Sequence, residues 1–366
     1  MEVMRKKVFL ENYSDNFMPE FDKEKISELI SAKLGRSFDI IKIEDAGSGY
    51  HSNGYKITSA KGEALFLKRV KSNDFGFEIP ERRLSSFLVS HGMAARSGLG
   101  PKPVGVIVRN EKESIMIPDV NEGVEIYHIQ NFESDGVSYW KLLQTKKEKT
   151  KVDEEDIREL EKVVDFIVSV HSIKHPTSDE AHKKAVYNDS LRSVLTHPEL
   201  AVTLLQGFTK DHPILPIKDH EWYVGRMLDI IHEWKDRSDR LTALHGDFWG
   251  SNLFFRKDGS VWVIDYSRIP WGDPGIDIGW WLASYLWFYQ ETQNHYFKEL
   301  GEKFLDLYVQ KMHDSEIREA MALVMGLMGI IFTTTQFHSD LNVLAAKRFI
   351  IVIKKILKDK KFVWET

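Results

Sequence analysis

Residues 245–252 read His245-Gly246-Asp247-Phe248-Trp249-Gly250-Ser251-Asn252. Thirteen positions beyond Asn252, the run Val261-Trp262-Val263-Ile264 ends in Asp265, and Gly272-Asp273-Pro274 and Asp277 follow. One carboxylate can orient a hydroxyl and take its proton. An amide and a second carboxylate supply the hard oxygens that hold a divalent cation on phosphate groups. Phosphoryl transfer from a nucleotide needs this set of groups. The gap after Asn252 is long enough for a hairpin that returns the chain beside the amide. The apolar run places Asp265 at a strand end, where a ligand can be held rigidly. Singly the pieces are weak. His-Gly-Asp is commonly a turn, and Asp273-Pro274-Gly275 is a turn signal by itself. Their joint spacing carries the reading.

Outward from this island, the two sides differ. Upstream, Glu24 to Leu34 reads as a short helix with Ile26, Leu29, Ile30 and Leu34 on one side and Gly35 as its stop. Residues 38–70 hold three short runs rich in β-branched and aromatic residues, separated by Gly47-Ser48-Gly49 and Ala60-Lys61-Gly62. They predict an antiparallel meander. Pro80 opens a helix to about His91, and two more strands, 103–110 and 113–120, are expected around a turn at Asn110–Lys112. After Asn121 the pattern is mostly helical. The charge run 146–151 (KKEKTK) reads as a solvated loop. Val152 to Ser172 is a strongly amphipathic helix capped by Asp153, with Asp156 where a capping box usually has Glu or Gln. The expected organisation is a sheet-rich lobe over 1–121 with one main helix and a larger, mostly helical lobe over 122–366.

Composition narrows the classes. The 366 residues are 42% apolar and 29% charged, which is ordinary globular usage and excludes wholesale disorder or coiled coil. The net charge of −5 argues against a dedicated nucleic-acid binder. With no cysteine, disulfides, thiolate catalysis and Cys-based zinc sites are excluded. The longest apolar run, Ala320 to Phe332, is 13 residues, too short for a bilayer and suited to a buried helix. A cytoplasmic protein with no membrane partner is expected; oligomeric state is not legible.

The pattern H-G-D-x-x-x-x-N, then I-D, then G-D-P-x-x-D resembles the aminoglycoside phosphotransferase and choline kinase group of small-molecule kinases. Every position is filled here, by His245, Gly246, Asp247, Asn252, Ile264, Asp265, Gly272, Asp273, Pro274 and Asp277. Gly246, where protein kinases have Arg, the lack of a D-F-G triplet downstream of the 245–252 loop (the D-F-G at 74–76 lies far upstream) and the lack of A-P-E separate the chain from protein kinases. The resemblance implies an α+β, two-lobed protein kinase-like fold with a small antiparallel sheet and a helical C-lobe. It implies Asp247 as catalytic base, Asn252 and Asp265 as Mg²⁺ ligands, and ATP or GTP as co-substrate. His245, Asp273 and Asp277 become catalytic-loop supports, and Asp277 ties the loop down through its backbone amides.

The sheet lobe should then hold the nucleotide. Gly47, Ser48, Gly49, Ser52 and Asn53 lie between two expected strands, where glycines let backbone amides approach phosphates. The same stretch also reads as a plain hairpin turn. Lys68, fourteen residues beyond Gly54 and flanked by apolar residues, suits the phosphates; an edge-strand lysine reaching water is the alternative. Glu81 is its expected carboxylate partner. For the acceptor, Trp249, Arg268 and Trp271 are candidate contacts, while most aromatics over 280–289 read as core. Glu291, Glu299, Glu302 and Asp306 are the acids a polycationic antibiotic would want, though such helix residues are commonly solvated. The preferred acceptor is a sugar, amino alcohol or related hydroxyl metabolite. The alternatives are an aminoglycoside or a catalytically silent kinase-fold binding protein.

Overall fold

A computed structural model of the chain describes residues 22–48, 52–70, 103–109, 114–115, 125–132, 136–208, 210–266, 268–334 and 341–365. The chain divides into two units. Of the described residues, the first holds those up to 70 and from 103 to 132, and the second those from 136 onward.

In the first unit, α1 (Lys23–Leu34) starts where the Asp22 carboxylate accepts from Lys25 N at 2.9 Å. It stops at Gly35, whose φ of 66° relieves the last turn. Strands β1 (Ile40–Ser48), β2 (Ser52–Ser59) and β3 (Ala64–Val70) form the expected meander. With β4 (Pro103–Arg109), β5 (Ser114–Ile115) and β6 (Glu125–Asn131) they make an all-antiparallel sheet of order β1-β2-β3-β6-β4-β5. Ile26 and Ile30 of α1 join Phe38, Tyr55, Ile57, Leu67, Ile107 and Ile129 in its core. The expected boundary at Asn121 falls before β6, which lies between β3 and β4; the sheet needs this strand to be continuous, so the first unit runs on past it. The expected helix from Pro80, together with Gly49, Glu81 and residues 116–120, lies outside the described residues.

The second unit opens with β7 (Val137–Ser138) and α2 (Tyr139–Thr145). Then come α3 (Glu154–His171), α4 (Glu180–Leu195), the short α5 (Pro198–Val202) and α6 (His220–Trp234). Four short strands follow: β8 (Thr242–Ala243), β9 (Leu253–Phe255), β10 (Val261–Val263) and β11 (Trp271–Gly272). The main C-terminal helices are α7 (Gly275–Thr292), α8 (His295–Met312), α9 (Ala322–Ile331) and α10 (Val343–Asp359). Every residue from Gly275 to Gln290 is buried, because α8, α9 and α10 all pack on α7. Most of the aromatic run is therefore core. No helix among the described residues is long and apolar enough to cross a membrane.

Helix α3 shows how the unit is built. Leu160, Val163, Val164, Ile167 and Val170 are each 0% exposed. Burying each such side chain contributes about 1.5–3 kcal/mol before chain entropy is counted. Its capping box is complete with aspartate: Asp153 accepts from Asp156 N at 3.1 Å, and Asp156 accepts from Asp153 N at 3.0 Å. Asp156 is itself fully buried and takes Lys146 at 2.9 Å, Lys149 at 2.8 Å and the Tyr296 hydroxyl at 2.9 Å. The 146–151 run is thus not simply a solvated loop. A buried carboxylate at the helix start needs counter-charge, and two of its lysines supply it.

Candidate active site

The island expected around Asp247 is a crossover between small sheets. β8 pairs with β11, β9 pairs antiparallel with β10, and β7 flanks β9. The loop 245–252 joins β8 to β9, and α7 begins just after β11.

The loop is anchored from its start. Asp277, in the first turn of α7 and 0% exposed, accepts His245 N at 2.7 Å on Oδ2 and Gly246 N at 2.8 Å on Oδ1. His171 Nε2 lies 3.1 Å from the same Oδ2, and its Nδ1 is 2.8 Å from the Tyr308 hydroxyl. Gly246 has φ +83°, and a Cβ there would meet the Ile269 backbone at 2.7 Å. Both the conformation and the space therefore require glycine. His245 is buried and spends both ring nitrogens on backbone: Nε2 donates to Ile264 O at 3.0 Å and Nδ1 accepts from Asp247 N at 3.2 Å. That pattern is a neutral imidazole, and burial pushes its pKa below the usual histidine range. His245 is a scaffold residue here. Asp273 is likewise occupied by neighbouring side chains and backbone. It accepts from Tyr187 at 2.8 Å, Arg240 Nε at 2.7 Å and Gly275 N at 2.7 Å.

Asp247 and Asn252 meet directly. Asn252 Nδ2 donates to Asp247 O at 2.8 Å and to Asp247 Oδ2 at 3.1 Å. Asp247 Oδ1 is buried without a hydrogen bond, 3.3 Å from Arg268 Nε. Burial drives the Asp247 carboxyl well above the usual carboxylate range; Arg268 opposes this, and Asp265 and Glu199 reinforce it. The hairpin brings Asp265 in. Leu253 faces Val263, and Ile264 N donates to Asn252 O at 2.9 Å, so Asp265 sits just past the last ladder bond. Its φ of +69° is uncommon for a non-glycine residue, a local strain of the kind that clusters at working sites.

The other expected residues separate. Trp249 is half-buried against Trp140, ring centroids 5.7 Å apart, whereas the Trp271 ring meets His175 at 4.7 Å. Arg268 is salt-bridged to Glu199 at 2.9 Å and lies over the Trp280 ring. Glu291 pairs with Lys147 and Glu302 with Arg318, while Glu299 and Asp306 are exposed on the same helix, α8, as Glu302. Glu199, His197, His171 and Tyr308 escaped the sequence reading. Only His171 had a signal: it falls on the apolar face of α3, in step with Leu160, Val164 and Ile167.

In the first unit, the expected 47–54 loop is largely strand. Gly47 pairs with Gly54 and Ser48 with Asn53 across the β1–β2 hairpin. Ser52 and Asn53 belong to β2. Strand alternation puts Asn53 on the buried face with Tyr55 and Ile57. Lys68 and Phe66 take the opposite face of β3 from Leu65 and Leu67, so Asn53 and Lys68 are not brought together. β3 lies between β2 and β6, so Lys68 is not on an edge strand.

A sequence model of the phosphotransferase enzyme family (APH) matches residues 42–321, a span that reaches into both units and takes in the whole 245–277 constellation. The chain belongs to this family. The family brings the reaction class, transfer of a phosphoryl group to a small-molecule acceptor. Among solved structures, an ethanolamine kinase of Plasmodium vivax aligns with TM-score 0.55 at 11% identity, covering 98% of this chain and 96% of that one. A protein assigned as a fructosamine-3-kinase from Haemophilus somnus aligns at 0.54 and 13%, covering 92% and 96%. A hygromycin B- and ADP-bound aminoglycoside phosphotransferase, APH(4)-Ia, aligns at 0.49 and 14%, covering 91% and 98%. At these identities the likeness is one of fold, and the fold is kinase-like. No curated protein matches the chain.

Proposed function

We propose that the chain moves the γ-phosphoryl group of ATP, or GTP, to a hydroxyl of a sugar, amino alcohol or related metabolite. The observation that carries this reading is the division of labour on Asp247. Oδ2 is tied to Asn252, and Oδ1 is buried with no hydrogen bond. A buried carboxylate oxygen without a donor is an acceptor in wait for one, and a substrate hydroxyl is that donor.

The residues also fit a magnesium ion. Asn252 commits its Nδ2 to Asp247, which leaves Oδ1 as its ligating atom, and Asp265 is delivered beside it by the hairpin. Among the described residues no group of three or more His, Asp or Glu could hold a metal alone. Magnesium sites of this type take one or two protein oxygens and complete the shell with water and phosphate. When bound, the ion supplies charge neutralisation on the phosphates. Asp247 orients the acceptor hydroxyl and takes its proton, and Asp277 fixes the loop that presents it. In the first unit, Lys68 is the residue proposed to meet the nucleotide phosphates.

An aminoglycoside acceptor is less favoured, because two of the candidate acids are already paired with Lys147 and Arg318 and the other two are solvated on an exposed helix face. The test is phosphoryl transfer from labelled ATP and GTP with Mg²⁺ across aminoglycosides, choline, ethanolamine, fructosamines, homoserine, sugars and nucleosides. Transfer to one hydroxyl class is expected. Nucleotide binding with no transfer to any acceptor would overturn the reading in favour of a silent binding protein.

A further inference from the structure

Arg268 meets the catalytic carboxylate through Nε and makes no hydrogen bond to it. Its Nε lies 3.3 Å from Asp247 Oδ1, Nη2 donates to Glu199 Oε1 at 2.9 Å, and Nη1 is held by His197 Nε2. The plane is further fixed over the Trp280 ring, 5.1 Å from its centroid. Glu199 and Asp247 are both buried. An arginine beside a buried carboxylate ordinarily closes a two-pronged fork on it, which is the strongest geometry the pair can adopt. Such a fork would occupy Oδ1, the oxygen the acceptor hydroxyl needs. Here Nη1 and Nη2 are each drawn to another partner, and Nε stands 3.3 Å from Oδ1 without making a hydrogen bond to it.

We propose that Glu199 and His197 are positioning residues that hold Arg268 off Asp247. They allow its charge to act on the catalytic carboxylate while denying it the fork that would block the acceptor. His197 and Glu199 flank Pro198, the first residue of α5, so the chain places both at one point on the guanidinium. This inference rests on Asp247 being the base.

The test follows ADP release from Mg–ATP with water as acceptor, and with any hydroxyl compound found in the acceptor panel. Glu199→Ala frees Nη2, the fork closes, and turnover falls on the order of tenfold to a hundredfold, the scale for a displaced catalytic group. Glu199→Gln still accepts from Nη2 and retains most of the rate. Removing Arg268 as well, in Glu199→Ala/Arg268→Ala, removes the competitor, so the double variant turns over faster than Glu199→Ala alone. A structural role for Glu199 predicts the opposite order. If Glu199→Ala does not fold, His197→Ala frees Nη1 and is tested in the same way against its Arg268→Ala double variant. Wild-type turnover in the folded single variants, or a double variant slower than its parent, overturns the proposal. An Asp247→Asn control separates the failures: if it is fully active, the base assignment fails, and if it is silent while Glu199→Ala is normal, only this inference fails.

Discussion

Replacing Asp277 by alanine removes one carboxylate that accepts two backbone amides and stands against His171. The amides of His245 and Gly246, 2.7 and 2.8 Å from its oxygens, are buried and find no other acceptor in their places. Hydrogen bonds to a charged acceptor contribute about 1.5–3 kcal/mol each, and a buried donor left unsatisfied loses a similar amount. Two of them give a loss of about 3–6 kcal/mol. At roughly 2–4 °C per kcal/mol for a domain of this size, the second unit should melt on the order of 10 °C lower. The released loop no longer fixes Asp247, so turnover should also fall by about a hundredfold or more. Thermal unfolding followed by circular dichroism, beside ADP release at a temperature where the variant is folded, reads both effects. A variant that melts and turns over like wild type would refute the anchoring role and the reasoning about unsatisfied amides.

Three further outcomes follow from the same geometry. Asp265→Ala should abolish the Mg²⁺-dependent part of nucleotide binding in a titration with and without the ion, and retained dependence would count against its ligand role. Gly246→Ala should lose stability and activity together, since φ +83° alone costs roughly 1–2 kcal/mol for alanine and the Cβ meets the Ile269 backbone. Asp156 gives a pH signature. Burial would raise its pKa, but Lys149, Lys146, Asp153 N–H and the Tyr296 hydroxyl hold it far below the usual carboxylate range. The folded pKa is therefore the depressed one. Its contribution is present above the unfolded value of about 3.8 and is lost as pH falls below that. Asp156→Asn should be less stable at neutral pH and should show a flatter stability profile between about pH 5 and 3; equal profiles would remove Asp156 as a source of acid sensitivity.

How far these features could be read in advance depended on their range in sequence. The 245–277 constellation was legible because its chemistry and its hairpin are local. Asn252 and Asp265 are joined by one short ladder, and Asp277 reaches back to a loop that the same segment contains. β6 was missed although Ile126, His128 and Gln130 alternate with Tyr127 and Ile129. Its place between β3 and β4 is decided by partners far along the chain. The two-residue strands β7, β8 and β11 exist only through such pairing. The charge run at 146–151 looked solvated because nothing local reveals that Asp156 is buried beneath it. Asn53 was grouped with Lys68 because a loop reading ignores strand alternation, which sends the two to opposite faces. Glu199 and His197 gave no signal at all, since their meaning comes from Arg268, about seventy residues later.

The most direct test is Asp247→Asn, assayed for phosphoryl transfer and for Mg²⁺–nucleotide binding in the same preparation. The account predicts a loss of turnover of about a hundredfold to ten-thousandfold, the usual contribution of a general base, with nucleotide affinity near wild type. A variant that transfers phosphate at the wild-type rate would contradict it.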